Sequence, residues 1–217
     1  MAPLWKLCLN GKLDEVRVAL ACGEDVDDKS PNGITALMFA VRKKHNSIVK
    51  LLFDQPGVKI NEKNKHGDTA LHFAALNNNR EAARMLLLHP TMDSVNAKTY
   101  GDRTSKKNDR GETALMMAVW MKHNSIVEIL LDQQGVKTDE KNNKGWTALH
   151  RAAYYNNQEG ARMLLLHPIM DSANSKDNKG ETAVMVAVRW GQKEVLSDLV
   201  AHQSVSLDIG NVGEIER

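Results

Sequence analysis

Cysteine is scarce in this chain: Cys8 and Cys22 are its two thiols in 217 residues, and no ligand cluster surrounds either. That excludes a disulfide framework and leaves ordinary reduced thiols as the expectation. Charge of one sign is also lacking. With 29 basic and 27 acidic side chains the formal net charge is +2, too little for nucleic acid or an anionic membrane to be the expected main partner. No apolar run is long enough to cross a bilayer, the start MAPLWKLCLNGK lacks a signal peptide's apolar core, and there is no Asn-x-Ser/Thr acceptor. The expected location is therefore the cytoplasm, with the nucleus as the second choice, and membrane insertion is not expected. Catalytic signatures are missing too. There is no Gly-rich phosphate loop, no Ser nucleophile elbow and no paired-carboxylate motif, so neither an enzyme nor a cofactor is expected.

What is present is a 42% hydrophobic content, enough for a real core, and strong self-similarity. GITALMFAV at 33, GDTALHFAA at 67, GETALMMAV at 111, GWTALHRAA at 145 and GETAVMVAV at 180 align, with glycines 34, 44, 34 and 35 residues apart. Each copy reads as a Gly turn, a Thr that caps a short Ala-rich helix, a polar break, and a second helix such as SIVKLLF or EAARMLLL. Thr35, Thr69, Thr113, Thr147 and Thr182 are the expected caps. The small Ala40, Ala74, Ala118, Ala152 and Ala187 let neighbouring helices approach closely.

This pattern resembles the ankyrin-repeat family, whose signature is a turn Gly, Thr-Pro-Leu-His, two alanines, a Gly-His break and a leucine-rich second helix. The resemblance covers nearly the whole chain. It implies a mostly all-α solenoid of about six helix-turn-helix units with short β-hairpin or loop fingers. The expected units are an N-terminal cap over 1–30, then 31–64, 65–107 with an extended finger, 108–141, 142–176, and a C-terminal cap over 177–217. Ala36, Ala70, Ala114, Ala148 and Ala183 replace the family's Pro, and the His appears only at His72 and His150, with Met38, Met116 and Met185 elsewhere. The Thr-His bond that ties adjacent units is therefore expected at two junctions, leaving the others softer.

Residues 45–98 match 123–176 at about two-thirds of positions, an offset of 78 that spans two units. Between the copies NAKTYGDRTSKKNDRG replaces the shorter NSKDNKG, so the added residues fall in a finger loop. The eight histidines all fall on the period or in loops. Equivalent residues two units apart lie about 20 Å from each other in a stacked array, too far to share a metal.

Aromatics make up only 5% of the chain, and most are placed unusually. Tyr154 and Tyr155 are adjacent on an expected helix, where neighbouring side chains point about 100° apart and cannot both face one narrow buried stripe. The resemblance implies that the two residues before the break, and those beside the turn glycine, face the concave side and vary between members. Here these positions hold Trp120, Met121, Trp146, Tyr154, Tyr155, Arg189 and Trp190. Across the duplication Arg42 becomes Trp120, Asp68 Trp146 and Leu76 Tyr154, while core residues are kept. Such rings either fill gaps between units or wait for a partner. Their clustering on one face favours a partner.

The expected function is a protein-protein interaction module or adaptor, monomeric and non-catalytic, binding through that concave face, with Tyr100 and Arg110 of the inserted finger at its rim. Lys98, Arg103, Lys106 and Lys107 make the finger a candidate for attracting an acidic patch. The alternative is a non-catalytic targeting or spacer segment of a larger multidomain protein. The resemblance also makes Asn96, eight residues after Leu88, a candidate for asparaginyl hydroxylation.

Overall fold

The computed structural model describes residues 2–100, 111–168, 173–202 and 205. Among them the chain forms twelve α-helices: α1 (Leu4–Leu9), α2 (Leu13–Ala21), α3 (Ala36–Arg42), α4 (Asn46–Phe53), α5 (Ala70–Leu76), α6 (Arg80–Leu88), α7 (Ala114–Trp120), α8 (Asn124–Leu131), α9 (Ala148–Tyr155), α10 (Gln158–Leu165), α11 (Ala183–Arg189) and α12 (Lys193–Ala201). They pair as six hairpins. The first helices pack in one row, α1 on α3 on α5 on α7 on α9 on α11, and the second helices in another. No described residue belongs to a strand. One isolated bridge, Lys29 to Thr35, marks the first finger, so the fingers are loops rather than β-hairpins wherever they are described.

Each first helix from α3 onward begins at the expected Thr, whose extended backbone places it at the N-cap. Thr35 Oγ1 accepts the Met38 amide at 3.1 Å. In the two units that carry His, Nδ1 of His72 and of His150 accepts the Thr69 and Thr147 amides at 3.1 and 3.2 Å. The opposite ring nitrogen donates into the next unit, to the carbonyls of Glu112 at 3.1 Å and Glu181 at 3.0 Å. Ala40, Ala74, Ala118, Ala152 and Ala187 are fully buried, so one first helix meets the next nearly backbone to backbone.

A second set of ties joins the units whether or not they carry His, so a junction without His keeps this tie and lacks the forward one. The residue closing each helical turn reaches back to the preceding unit: Asn79 Nδ2 donates to Val41 O at 3.0 Å, His123 Nδ1 to Ala75 O at 2.8 Å, Asn157 Nδ2 to Val119 O at 2.9 Å and Gln192 Nε2 to Tyr154 O at 3.2 Å. The junctions formed by α3 with α5 and by α7 with α9 are held by Asn79 and Asn157 where the entering unit's Met38 and Met116 replace His. Just before three of these ties, at Asn78, Lys122 and Asn156, and at the equivalent Lys44, the chain turns through left-handed backbone with φ between 51° and 59°. Only Gly adopts that region without a Cβ penalty.

The fingers lock to each other as well. Gly67 has φ +80°, and a Cβ there would lie 2.5 Å from the Tyr100 amide nitrogen. Asn96 is engaged rather than idle: its Nδ2 donates to Gly135 O at 2.7 Å and its Oδ1 accepts the Lys137 amide at 2.8 Å. Cys8 is buried, which pushes its thiol up to about 12, and Cys22 is exposed.

Three outcomes follow. Lys122→Gly relieves the left-handed penalty and is expected to raise stability by about 0.5–1 kcal/mol in chemical denaturation. Leu149→Ala, at a fully buried position in α9, is expected to cost about 2–5 kcal/mol. Burial lowers the pKa of His72 and His150 below the ordinary 6.5, so the folded chain keeps both rings neutral while the unfolded chain binds protons. Stability is then full above pH about 6.5 and falls as the solution is acidified below it. Denaturation midpoints at pH 7.5 and 5.5 check this, and His72→Gln/His150→Gln is expected to flatten the difference.

Candidate partner-binding face

The question raised by the adjacent tyrosines is resolved by the two neighbours of α9. Tyr155 points back toward α7 and meets Trp120, ring centroids 5.9 Å apart, while Tyr154 meets Trp146 at 5.1 Å and Trp190 of the next unit at 4.8 Å. The two phenols touch edge to face at 4.8 Å. A continuous chain of ring contacts thus runs from α7 through α9 to the end of α11. Both tyrosines are half-buried, whereas Trp120, Met121 and Trp190 are exposed at 38%, 41% and 53%.

Trp146 departs from the expectation that its ring stands free, for it is only 9% exposed. Its indole N–H donates to Asp177 Oδ2 of the following finger at 2.9 Å, and its face lies over His150. Beside the turn glycine a side chain can extend across the finger of the next unit, and a ring as large as indole fills that space. Trp146 therefore supports the face from beneath and presents little surface of its own.

At the centre of the ring chain lies a residue that sequence reasoning passed over. Arg151 is 2% exposed. Its guanidinium sits 5.2 Å from the Trp146 ring, 5.8 Å from Tyr155 and 6.0 Å from Trp120. Glu112, itself 3% exposed, faces it across the unit boundary. Arg151 Nε donates to Glu112 Oε2 at 3.2 Å and Nη2 donates to Oε1, forming a two-point ion pair. Asn142 completes the arrangement. Its Nδ2 donates to Glu112 Oε1 at 2.5 Å, and its Oδ1 accepts the amides of Lys144 and Trp146.

A buried, fully partnered charge of this kind adds little net stability, but it fixes the groups around it in one arrangement. The delocalised, planar guanidinium also attracts the ring faces. One signal for it was present in the sequence: the position after the Leu-His, Leu-Met or Val-Met pair holds Phe39, Phe73, Met117 and Val186 in the other units, all buried, and Arg151 alone is charged. Which carboxylate would meet it was not legible, because Glu112 lies 39 residues away.

The remaining candidates fall around this centre. Arg189 at the end of α11 pairs with Glu181, fixing the wall beside Trp190. Trp146, Tyr154, Trp190, Arg189, Lys144 and Lys179 help to line an open cleft of 350 Å³ between the last two units. Tyr100 is half exposed in a different place, over Gly67 and beneath the Lys63 ammonium at 5.2 Å. Lys98 is tied to Glu140 at 2.5 Å. Arg110, with Arg103, Lys106 and Lys107, lies outside the described residues. Among the described residues no group of three or more His, Cys, Asp or Glu is placed to hold a metal, and no helix is long and apolar enough to cross a membrane.

Arg151→Met alone strands the Glu112 carboxylate and is expected to cost about 3–5 kcal/mol. The pair Glu112→Gln/Arg151→Met is expected to recover most of that loss. Its near-ultraviolet circular dichroism should nevertheless weaken, because Trp120 and Tyr155 lose the ion that orders them. Equal destabilisation of the single and double variants would show that the guanidinium acts only as filling.

The family model for ankyrin repeats matches residues 4–99, 95–172 and 138–211. No curated protein sequence matches significantly. Among solved structures, an ankyrin repeat domain from Acinetobacter baumannii superposes with a TM-score of 0.76 at 25% identity over 91% of this chain and 95% of that one. A chain in the structure of the predatory endopeptidase Bd0816 from Bdellovibrio bacteriovorus in complex with immunity protein Bd3460 gives 0.76 at 25% identity, covering 92% and 97%. The ankyrin repeat domain of Bcl-3 gives 0.79 at 24% identity, covering 96% and 88%, which is a likeness of fold. With its repeats matched along most of its length, the chain belongs to the ankyrin-repeat family.

Proposed function

We propose that this ankyrin array is a non-catalytic adaptor that binds a partner protein on the face built by α7, α9 and α11. Ankyrin repeats are interaction modules in general, and the fold's quasi-one-dimensional stacking leaves one long side of the array free. The observation that carries the reading is the ordered aromatic stripe, with Trp120, Met121 and Trp190 exposed beside the half-buried Tyr154 and Tyr155. Trp and Tyr dominate the energetic centres of interfaces, and rings held in advance lose little conformational entropy on binding. Trp146 and the Glu112–Arg151 pair form the support, and Arg189, Tyr100 and Arg110 are candidates for the rim.

The test is affinity capture and identification of the partner by mass spectrometry, followed by titration calorimetry with purified components. Trp120→Ala and Trp190→Ala are each expected to weaken binding by about 2 kcal/mol or more while leaving the melting temperature nearly unchanged. If both variants instead unfold as readily as Leu149→Ala while binding as before once folded, the rings are packing residues and the proposal is wrong.

A further inference from the structure

The near-neutral total charge conceals a segregation that the fold creates. The six first helices contribute Lys6, Arg42, Arg151 and Arg189, and the turns that follow them contribute Lys12, Lys43, Lys44 and Lys122, with no acidic residue in either set. The second helices, on the opposite side, mix seven acidic with six basic residues. Among the described residues, the acids nearest the first helices are engaged by donors: Asp28 accepts the Trp5 amide of α1 at 3.2 Å. Asp68 accepts from Asn64 Nδ2, Glu112 is held by Arg151 and Asn142, Asp177 accepts the Trp146 indole and two backbone amides, and Glu181 pairs with Arg189. The cations on the same fingers, Lys65, Lys144 and Lys179, have exposed side chains. Arg151 is neutralised by Glu112 and Arg189 by Glu181, so the exposed charges left on the described first helices and the turns after them are those of Arg42 and the lysines, and this side is locally positive although the molecule as a whole is close to neutral.

The cleft between the last two units adds the other half of a binding chemistry. Trp146, Tyr154 and Trp190 supply aromatic walls, Lys144, Lys179 and Arg189 line it together with Asp177 and Glu181, whose carboxylates are engaged by the Trp146 indole and by Arg189, and its 350 Å³ suits one bulky side chain. Resting on the partner-binding reading above, we propose that the guest is an acidic peptide segment carrying one bulky apolar or aromatic anchor. The anchor enters this cleft, and flanking Asp and Glu residues meet the finger and turn lysines. An extended segment of about six or seven residues spans the two unit steps from Trp120 to Trp190, at about 10 Å per unit and 3.3 Å per residue. A single-stranded nucleic acid is the other anionic candidate. It is disfavoured because the rings of Tyr154, Tyr155 and Trp190 pack edge to face on one another, leaving no row of open parallel faces for stacked bases.

The experiment uses the full chain and fluorescein-labelled probes followed by anisotropy: a decapeptide of Asp and Glu around one central Phe, the same peptide with Lys in place of the acids, the acidic peptide with Ser in place of Phe, and a ten-nucleotide oligo-dT. The acidic Phe peptide is expected to bind at least tenfold more tightly than the other three, and more weakly at 0.3 M than at 0.05 M salt. Lys144→Glu/Lys179→Glu and, separately, Trp190→Ala are expected to weaken it at least tenfold, while Arg17→Glu/Arg84→Glu, on α2 and α6, leaves it unchanged. Melting curves confirm that each variant is folded. The proposal is overturned if the basic peptide binds as well, if oligo-dT binds more tightly, if the second-helix reversal weakens binding equally, or if no probe binds. Should no probe bind while the captured partner still depends on Trp120 and Trp190, the adaptor reading stands and the acidic guest falls.

Discussion

None of the twelve described helices can stand by itself. At six to nine residues each, they are shorter than the roughly 12–15 residues at which even favourable sequences become helical alone in water, so every one depends on burial against its neighbours. The five inter-unit alanines let the first helices approach closely, and the leucines and isoleucines of the second helices close the other side. Stability in such an array is a sum of neighbour interfaces, which is why the polar ties between units carry as much meaning as the apolar core. Two kinds coexist: His72 and His150 bond forward to the next finger, and Asn79, His123, Asn157 and Gln192 bond back to the preceding helix. The second kind holds the stack where the first is missing.

Against that regular background the junction of α7 with α9 is built differently. Where four other units bury an apolar side chain, this one buries Arg151 and meets it with Glu112. A hydrophobic pair of equal volume would hold the helices together at least as well, so core stability does not account for the substitution. What the guanidinium adds is direction. It lies among three rings contributed by two units and fixes them in place, while the second half of the same aromatic chain is braced by the Trp146–Asp177 bond and the Arg189–Glu181 pair. The exposed Trp120 and Trp190 therefore sit at the two ends of a rigid platform.

Segregation of charge follows from the same geometry. Each unit offers four places for a charged side chain: the first helix, the turn after it, the finger, and the outer helix. Asp68, Glu112, Asp177 and Glu181 are consumed as acceptors for side-chain and backbone amides, for indole and for guanidinium, since a buried carboxylate needs several donors. Lysines of the fingers and turns have long stems that keep the ammonium in water. One face is left positive without any large net charge.

The sequence by itself determined the repeat, the helix-capping threonines, the small residues at the stacking positions and the set of positions beside the break and the turn glycine, because these are local or periodic and a spacing of about 34 residues repeats their environment. Tyr154 and Tyr155 could be singled out from helical geometry alone. Tertiary structure decided the rest. That Trp146 is buried, that the Asn79 and Asn157 amides hold junctions without His, and that Arg151 finds Glu112 all depend on which side chains of adjacent units converge. Such convergence is set by packing across 30 to 40 residues of chain, and local sequence carries no record of it.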